Sequence, residues 1–179
     1  DGDRRINYGG YKYIPGRWEK VANKMIEYYD LKENSRILDI GCGKGFLLYD
    51  FKKLLPQSQL FGIDISKYAI ENGKSEIKDR LTLGSSCKLP WEDNFFDLVI
   101  SINTFHNLYC YELENSLLEM QRVGKKNKYI CVESYKNEEE KANLLYWQVT
   151  CEAFNNPREW EWWFKKCNYD GDYSFIYFE

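Results

Sequence analysis

The sequence predicts an α/β fold: a doubly wound, mostly parallel sheet with helices on both faces. Three observations predict it. Short apolar runs of strand character alternate along the chain with helical segments, the pattern of βα units. The first strand runs into a glycine-rich turn that opens a helix, as in open α/β sheets that bind a cofactor. The 179 residues, 44% hydrophobic and 30% charged, are enough for one domain with a sizeable core. No repeat, low-complexity tract or linker interrupts them, so 1–179 is read as a single domain, with 1–16 as an N-terminal arm or lid.

Each element has its own signal. Residues 1–16, "DGDRRINYGGYKYIPG", have no helical period, and Pro15-Gly16 punctuate the chain. Trp18, Val21, Ala22, Met25, Ile26 and Tyr29 recur at the spacing of one helix face. "RILDI" (36–40) is a strand, "FLLYDFKKLL" (46–55) a helix stopped by Pro56, and "QLFGIDI" (59–65) a second strand. Ser66 caps a helix expected over 67–77. "LTLG" (81–84) is a weak third strand, "FDLVISI" (96–102) a fourth, "ELENSLLEMQRV" (112–123) a helix and "KYICVES" (128–134) a fifth strand. A long helix is expected over 138–154. Its acidic start, Glu138 to Glu140, suits the helix dipole as a solvated first turn rather than a metal site. Ala142, Leu145, Tyr146, Val149 and Ala153 make one apolar stripe on it, and Trp147, Cys151 and Phe154 a second, which predicts burial on two sides. "PREWEWWFKKC" (157–167) is a last helix whose Trp160, Trp162 and Trp163 read as packing. "DYSFIYFE" (172–179) is the final strand.

Composition excludes several classes. The net charge is −3 without a block of Lys or Arg, so the footprint of a nucleic-acid binder is missing. No apolar run nears the ~20 residues that span a bilayer, and the start is not signal-like. The six cysteines, at 42, 87, 110, 131, 151 and 167, form no C-x-x-C pair. They are expected as reduced, buried thiols, which fits a cytoplasmic location and argues against a zinc site or disulfide framework. The expected partner is a small molecule; the oligomeric state is open.

The most informative stretch is "ILDIGCGKGF" (37–46). Gly41, Gly43 and Gly45 stand where the backbone must turn and approach a ligand without a Cβ in the way. A dinucleotide site has G-x-G-x-x-G, but Phe46 stands where its third glycine belongs. Asp64 follows Gly43 by 21 residues, near the ~20 expected of an acid that binds ribose hydroxyls. The D-x-G-x-G-x-G pattern beginning at Asp39 resembles motif I of the class I S-adenosylmethionine methyltransferases. "LGSSCKLPWEDNFFDLVIS" (83–101) is similar to that family's G-D-A-x-x-L-P-F and S-F-D-x-V stretches.

The resemblance, over about 20–135, implies a Rossmann-like class I methyltransferase fold, with S-adenosylmethionine as cofactor and S-adenosylhomocysteine as product. Gly41, Cys42 and Gly43 would lie against the methionine part, Asp39 would orient its ammonium group, Asp64 would hold the ribose and Ile65 flank the adenine. Ser85 replaces the acid that commonly bonds the adenine amino group; its hydroxyl and the Ser86 N–H remain for the adenine. The arm "YGGYKYIPGRW" and the tail "GDYSFIYFE" resemble a bacterial branch associated with surface-polysaccharide and capsule pathways.

In such a fold the end of the fourth strand faces the acceptor. Members acting on adenine or glutamine amides carry Asn/Asp-Pro-Pro-aromatic there, whereas this chain has S-I-N-T-F-H. The acid cluster of the metal-dependent catechol type is absent too, so no metal is expected. His106, the one histidine, reads as a general base for an alcohol or acid acceptor, or as a side chain capping a helix or bonding a carbonyl. Asn103 would orient substrate or cofactor and assist catalysis; Asn107 would contact substrate, with turn chemistry as the other reading of both. Glu133 and Tyr135 end a strand at the ligand-binding edge, and Trp147 and Gln148 either line a pocket or pack in the core. Tyr8, Tyr11, Tyr13 and Arg17 would close over the ligands, Arg17 on an anionic group.

The expected function is transfer of a methyl group to a small polar acceptor, at an oxygen of a sugar or nucleotide-linked precursor of a surface glycan. Two alternatives stand beside it: an NAD-dependent oxidoreductase of similar topology, though no Tyr-x-x-x-Lys pair follows the fourth strand, and a non-catalytic S-adenosylmethionine-binding module.

Overall fold

A computed structural model describes residues 12–148 and 150–178. The chain forms two compact units, Asp1–Ser85 and Ser86–Glu179. The expected α/β class is borne out: strands and helices alternate, and the described strand pairs within each unit are parallel.

In the first unit, α1 (Glu19–Tyr28) buries Ala22 and Met25 and packs on α2 (Phe46–Leu54). β1 (Arg36–Ile40), β2 (Gln59–Asp64) and β3 (Leu81–Leu83) lie in the order β3-β2-β1. β1 is buried from Ile37 onward, as befits a strand covered on both faces. Asp39 is in register with Gly62 and Ile40 with Ile63, which brings the two C-terminal strand ends together. α3 (Lys67–Glu71) is capped as expected, with Ser66 Oγ accepting from the Ala69 N–H at 3.2 Å, but it is much shorter than 67–77. It stops at Glu71 with Asn72 as its cap, and at Gly73 the backbone lies so close to β3 that a Cβ would be 2.6 Å from Leu81 Cδ1. The chain then returns, the Lys74 N–H donating to Lys44 O at 2.9 Å.

In the second unit, β4 (Phe96–Ile102), β5 (Gly124–Glu133) and β6 (Asp172–Ile176) lie in the order β4-β5-β6. α4 (Cys110–Val123) buries Leu113, Leu117, Met120 and Val123. α5 spans Glu138–Trp147 and α6 Pro157–Lys166. The long helix expected over 138–154 stops at Trp147, and its two buried stripes do not form. Leu144 is buried, but Ala142, Leu145, Tyr146 and Trp147 are exposed; Val149 lies outside the described residues. The chain leaves the helix because later amides take other partners: Glu152 N–H and Ala153 N–H both donate to His106 O at 2.9 Å. Glu138 and Glu139 are solvated as expected, but Glu140 is buried and accepts from the Lys136 N–H at 2.8 Å. Trp160 is wholly buried, whereas Trp162 is exposed. Cys110 is exposed too, against the expectation of buried thiols.

Candidate functional site

In the first unit, the glycine loop is built by strand register. Gly41 and Cys42 N–H both donate to Ile63 O, at 2.8 and 3.2 Å, binding the end of β1 to that of β2. Gly41, Gly43 and Gly45 take φ of 76°, 54° and 74°, the left-handed region that disfavours a side chain. Two of these glycines serve different ends. A Cβ on Gly43 would meet nothing within 4 Å, whereas one on Gly45 would lie 2.2 Å from Ile77 Cδ1. Gly43 leaves open space above the loop; Gly45 lets the start of α2 pack closely.

Asp64 braces this loop. Its Oδ2 accepts from the Gly43 N–H at 2.8 Å and its Oδ1 from the Ser66 N–H at 2.7 Å. An ionised carboxylate has about four lone-pair sites, so both oxygens keep capacity for a vicinal diol. Asp39 is buried in β1. Burial, and then the charge of Asp64, pushes its carboxyl up to about 7, so a cationic group is the partner its ionised form lacks. Ile65 leaves an apolar side chain 78% exposed beside Asp64. Cys42 is buried with its thiol toward Gly43 O, so the backbone is what it offers a ligand. Ser85 is exposed. This donor set fits S-adenosylmethionine: carboxylate for the ammonium, acceptors for the ribose and an apolar face for the adenine.

Tyr13 lies against α2. Its ring makes edge contacts with Phe46 and Tyr49, and its hydroxyl donates to Asp50 Oδ1 at 2.6 Å. Arg17 is exposed, its guanidinium 6.0 Å from the Trp18 ring centroid. Tyr8 and Tyr11 lie outside the described residues.

The second unit holds a buried polar cluster. Asn103, just past β4, has φ 57°. Its N–H donates to Cys131 O at 2.9 Å, and its carbonyl accepts from Asn107 Nδ2 at 3.3 Å. Its Oδ1 is buried without a hydrogen-bond partner. Asn107 Oδ1 accepts from Thr150 Oγ1 at 2.8 Å. His106 and Glu133 are each 1% exposed. The Glu133 N–H donates to His106 Nδ1 at 3.3 Å, and Glu133 Oε2 lies 3.4 Å from His106 Nε2. Gln148 Nε2 donates to Glu133 Oε1, and Trp160 Nε1 donates to Glu133 O at 3.0 Å. Burial holds the imidazole down at about 4 and pushes the Glu133 carboxyl up to about 7. Ser86 Oγ lies 2.7 Å from Ser116 Oγ of α4. Tyr135 is half-buried, with Lys141 Nζ 5.0 Å from its ring centroid.

The structure therefore brings His106 together with Glu133, and Asp64 with Gly43. It also adds what sequence reading missed, the Gln148 amide on Glu133 and the Trp160 indole behind it. The signal for the first pairing was that both residues sit at the C-terminal ends of consecutive strands; nothing local pointed to Trp160.

A family profile described as a methyltransferase domain matches residues 31–169. The chain belongs to this methyltransferase-domain family. It is a member of the class I S-adenosylmethionine methyltransferase superfamily, whose fold and chemistry imply S-adenosylmethionine as methyl donor. The domain is 31% identical over 126 residues to an uncharacterised methyltransferase of Schizosaccharomyces pombe, covering 63% of this chain and 44% of that protein. It is 32% identical over 130 residues to demethylmenaquinone methyltransferase of Symbiobacterium thermophilum, covering 68% and 51%. The chain thus spans about half the length of these curated relatives. YcgJ of Bacillus subtilis shares the domain's fold with TM-score 0.67 at 22% identity, covering 83% of this chain and 67% of that one.

Proposed function

We propose that the protein is an S-adenosylmethionine-dependent methyltransferase acting on a small polar acceptor, at an oxygen of a sugar or nucleotide-linked precursor of a surface glycan. The observation that carries the cofactor reading is the open space over Gly43, edged by Asp64 with its two braced oxygens. Asp39, Gly41, Cys42, Gly43, Asp64, Ile65, Ser85, Ser86 and Asn103 are assigned to the cofactor. When bound, S-adenosylmethionine supplies a methyl carbon on a sulfonium, whose carbon–sulfur bond breaks with the electron pair kept by sulfur. The rest of the task is alignment, exclusion of water and, for a hydroxyl acceptor, removal of its proton. The His106 cluster, with Asn103, is assigned to that proton. Tyr11, Tyr13, Arg17, Asn107, Glu133 and Tyr135 are assigned to the acceptor.

A second reading, methylation of a quinone-type ring, draws on the likeness to a demethylmenaquinone methyltransferase. The exposed Tyr109 and Tyr111, stacked at 5.8 Å and 13°, favour it by offering a planar face.

Calorimetry with S-adenosylmethionine, S-adenosylhomocysteine and NAD tests the proposal. Both sulfur compounds are expected to bind, and Asp64→Ala to weaken them about 1,000-fold, since two charge-assisted hydrogen bonds contribute about 4 kcal/mol. Binding of NAD without S-adenosylhomocysteine overturns it. Unchanged affinity in Asp64→Ala removes the ribose assignment.

A further inference from the structure

The buried cluster of the second unit decides which of its two titratable side chains can exchange a proton. His106 Nδ1 accepts the backbone N–H of Glu133 at 3.3 Å. It therefore presents a lone pair, and the hydrogen of the neutral ring lies on Nε2. A second proton would have to go on Nδ1, facing that N–H head to head. The imidazole cannot take it without losing the backbone N–H that holds it. Glu133 differs. Its Oε1 takes the amide N–H of Gln148, while its Oε2 is buried, 3.4 Å from His106 Nε2, and has no directed hydrogen bond. A proton on Oε2 displaces no partner.

We propose that Glu133, rather than His106, is the group in this cluster that exchanges a proton with the acceptor, and that His106 and Gln148 are positioning residues that hold its carboxylate. This rests on the proposed function. It also narrows the acceptor to a neutral group carrying a hydroxyl or amino hydrogen, because a carboxylate or phosphate would meet Glu133 with like charge. The acceptor's O–H or N–H bond breaks, its electron pair stays on the acceptor atom to form the bond to carbon, and the proton goes to Glu133 Oε2.

The surroundings agree. Burial moves the two groups apart, the carboxyl up to about 7 and the imidazole down to about 4, which leaves the exchangeable proton on Glu133. Among the described residues, the other titratable groups facing the carboxylate are thiols, Cys131 of β5 and Cys151 of the connection after α5. Both are pushed further up by burial, so they stay neutral and do not compete. The Trp160 indole N–H of α6 goes to the Glu133 carbonyl and not to its carboxylate.

His106 is the one histidine of the chain, so nitrogen-15 histidine labelling gives a single imidazole to follow by NMR. The ring is expected in its Nε2–H tautomer, with no imidazolium from about pH 5 to pH 9. Its resonances should report one titration step near pH 7, that of the neighbouring carboxyl. Glu133→Gln should remove this step and keep the tautomer, because the backbone N–H remains. Gln148→Leu should move the step upward by about one unit, since the carboxylate loses its donor. An imidazolium forming in that range in the unmodified protein overturns the inference, and so does a step that survives Glu133→Gln. If Glu133→Gln does not fold, carbon-13 carboxyl shifts of the unmodified protein decide the same point: a Glu133 signal that does not titrate near neutrality overturns it. Calorimetry on the same samples keeps the two claims apart. Failure to bind S-adenosylhomocysteine strikes the proposed function, whereas an imidazolium strikes the proton assignment.

Discussion

At Asp39, burial sets the pH dependence expected of a carboxylate assigned to the cofactor's ammonium group. Its carboxyl, ordinarily near 3.8, is pushed up to about 7 by burial and by Asp64. Between those values the folded chain keeps a proton that the unfolded chain releases. Its contribution to stability is therefore present at low pH and lost as pH rises through about 7. A bound ammonium group reverses the preference. S-adenosylhomocysteine affinity should rise with pH up to about 7, by as much as about tenfold per unit, and then level off. Calorimetry in buffers of different ionisation enthalpy at pH 6 should show proton release on binding, and Asp39→Asn should abolish both effects. A flat pH profile in the unmodified protein would remove Asp39 from the ammonium site.

At the scale of elements, the two glycines separate binding from folding. Gly45→Ala sets a Cβ 2.2 Å from Ile77 Cδ1 at φ 74°. Overpacking and the left-handed backbone together should cost about 2–4 kcal/mol of stability, read from denaturant unfolding. Gly43→Ala, at φ 54° with open space, should cost only about 1–2 kcal/mol. It should instead weaken S-adenosylhomocysteine, since the new methyl group occupies the approach to the loop. If Gly43→Ala binds as well as the unmodified protein, the ligand does not lie over that loop. The shortened α5 gives a second contrast. Leu144 is fully buried and Trp147 is 69% exposed. Leu144→Ala should cost about 2–5 kcal/mol, and Trp147→Ala within about 0.5 kcal/mol. A comparable loss in both would mean that Trp147 is covered in solution.

For the whole molecule, His106 and Glu133 act on stability with opposite signs. The imidazole, held down at about 4, contributes stability that is present above its ordinary 6.5 and lost as pH falls through about 4. The Glu133 carboxyl, raised to about 7, contributes stability that is present below its ordinary 4.5 and lost as pH rises through about 7. Between pH 4.5 and 6.5 the two slopes largely cancel, leaving that of Asp39. His106→Gln removes one side of the balance. Its stability should fall more steeply than that of the unmodified protein over this window, by up to about 1.4 kcal/mol per pH unit. Urea unfolding at half-unit intervals measures the slope, and equal slopes would show that the imidazole is not held neutral. The alternation of strands and helices that builds this fold was legible without coordinates, as were the glycine loop and Asp64. The extent of α3 and α5 was not. Apolar periodicity continued past Glu71 and Trp147, but Gly73 packs against Leu81 in one case and the backbone bonds to His106 in the other.

The sequence by itself determined the fold class, the methyltransferase family and the glycine loop with its acid. These depend on local spacing: a strand, a turn that needs glycine, and an acid at the end of the next strand. Only the tertiary structure decided what His106 touches. Its neighbour Glu133 is 27 residues away, and Gln148 was open to two readings until its amide was seen on that carboxylate. The side-chain pairing of parallel strands is set by register and by the segments packed over their ends, neither of which leaves a local pattern. Protonation depends on those non-local neighbours. The histidine that read either as a base or as a structural side chain is one half of a buried pair with Glu133.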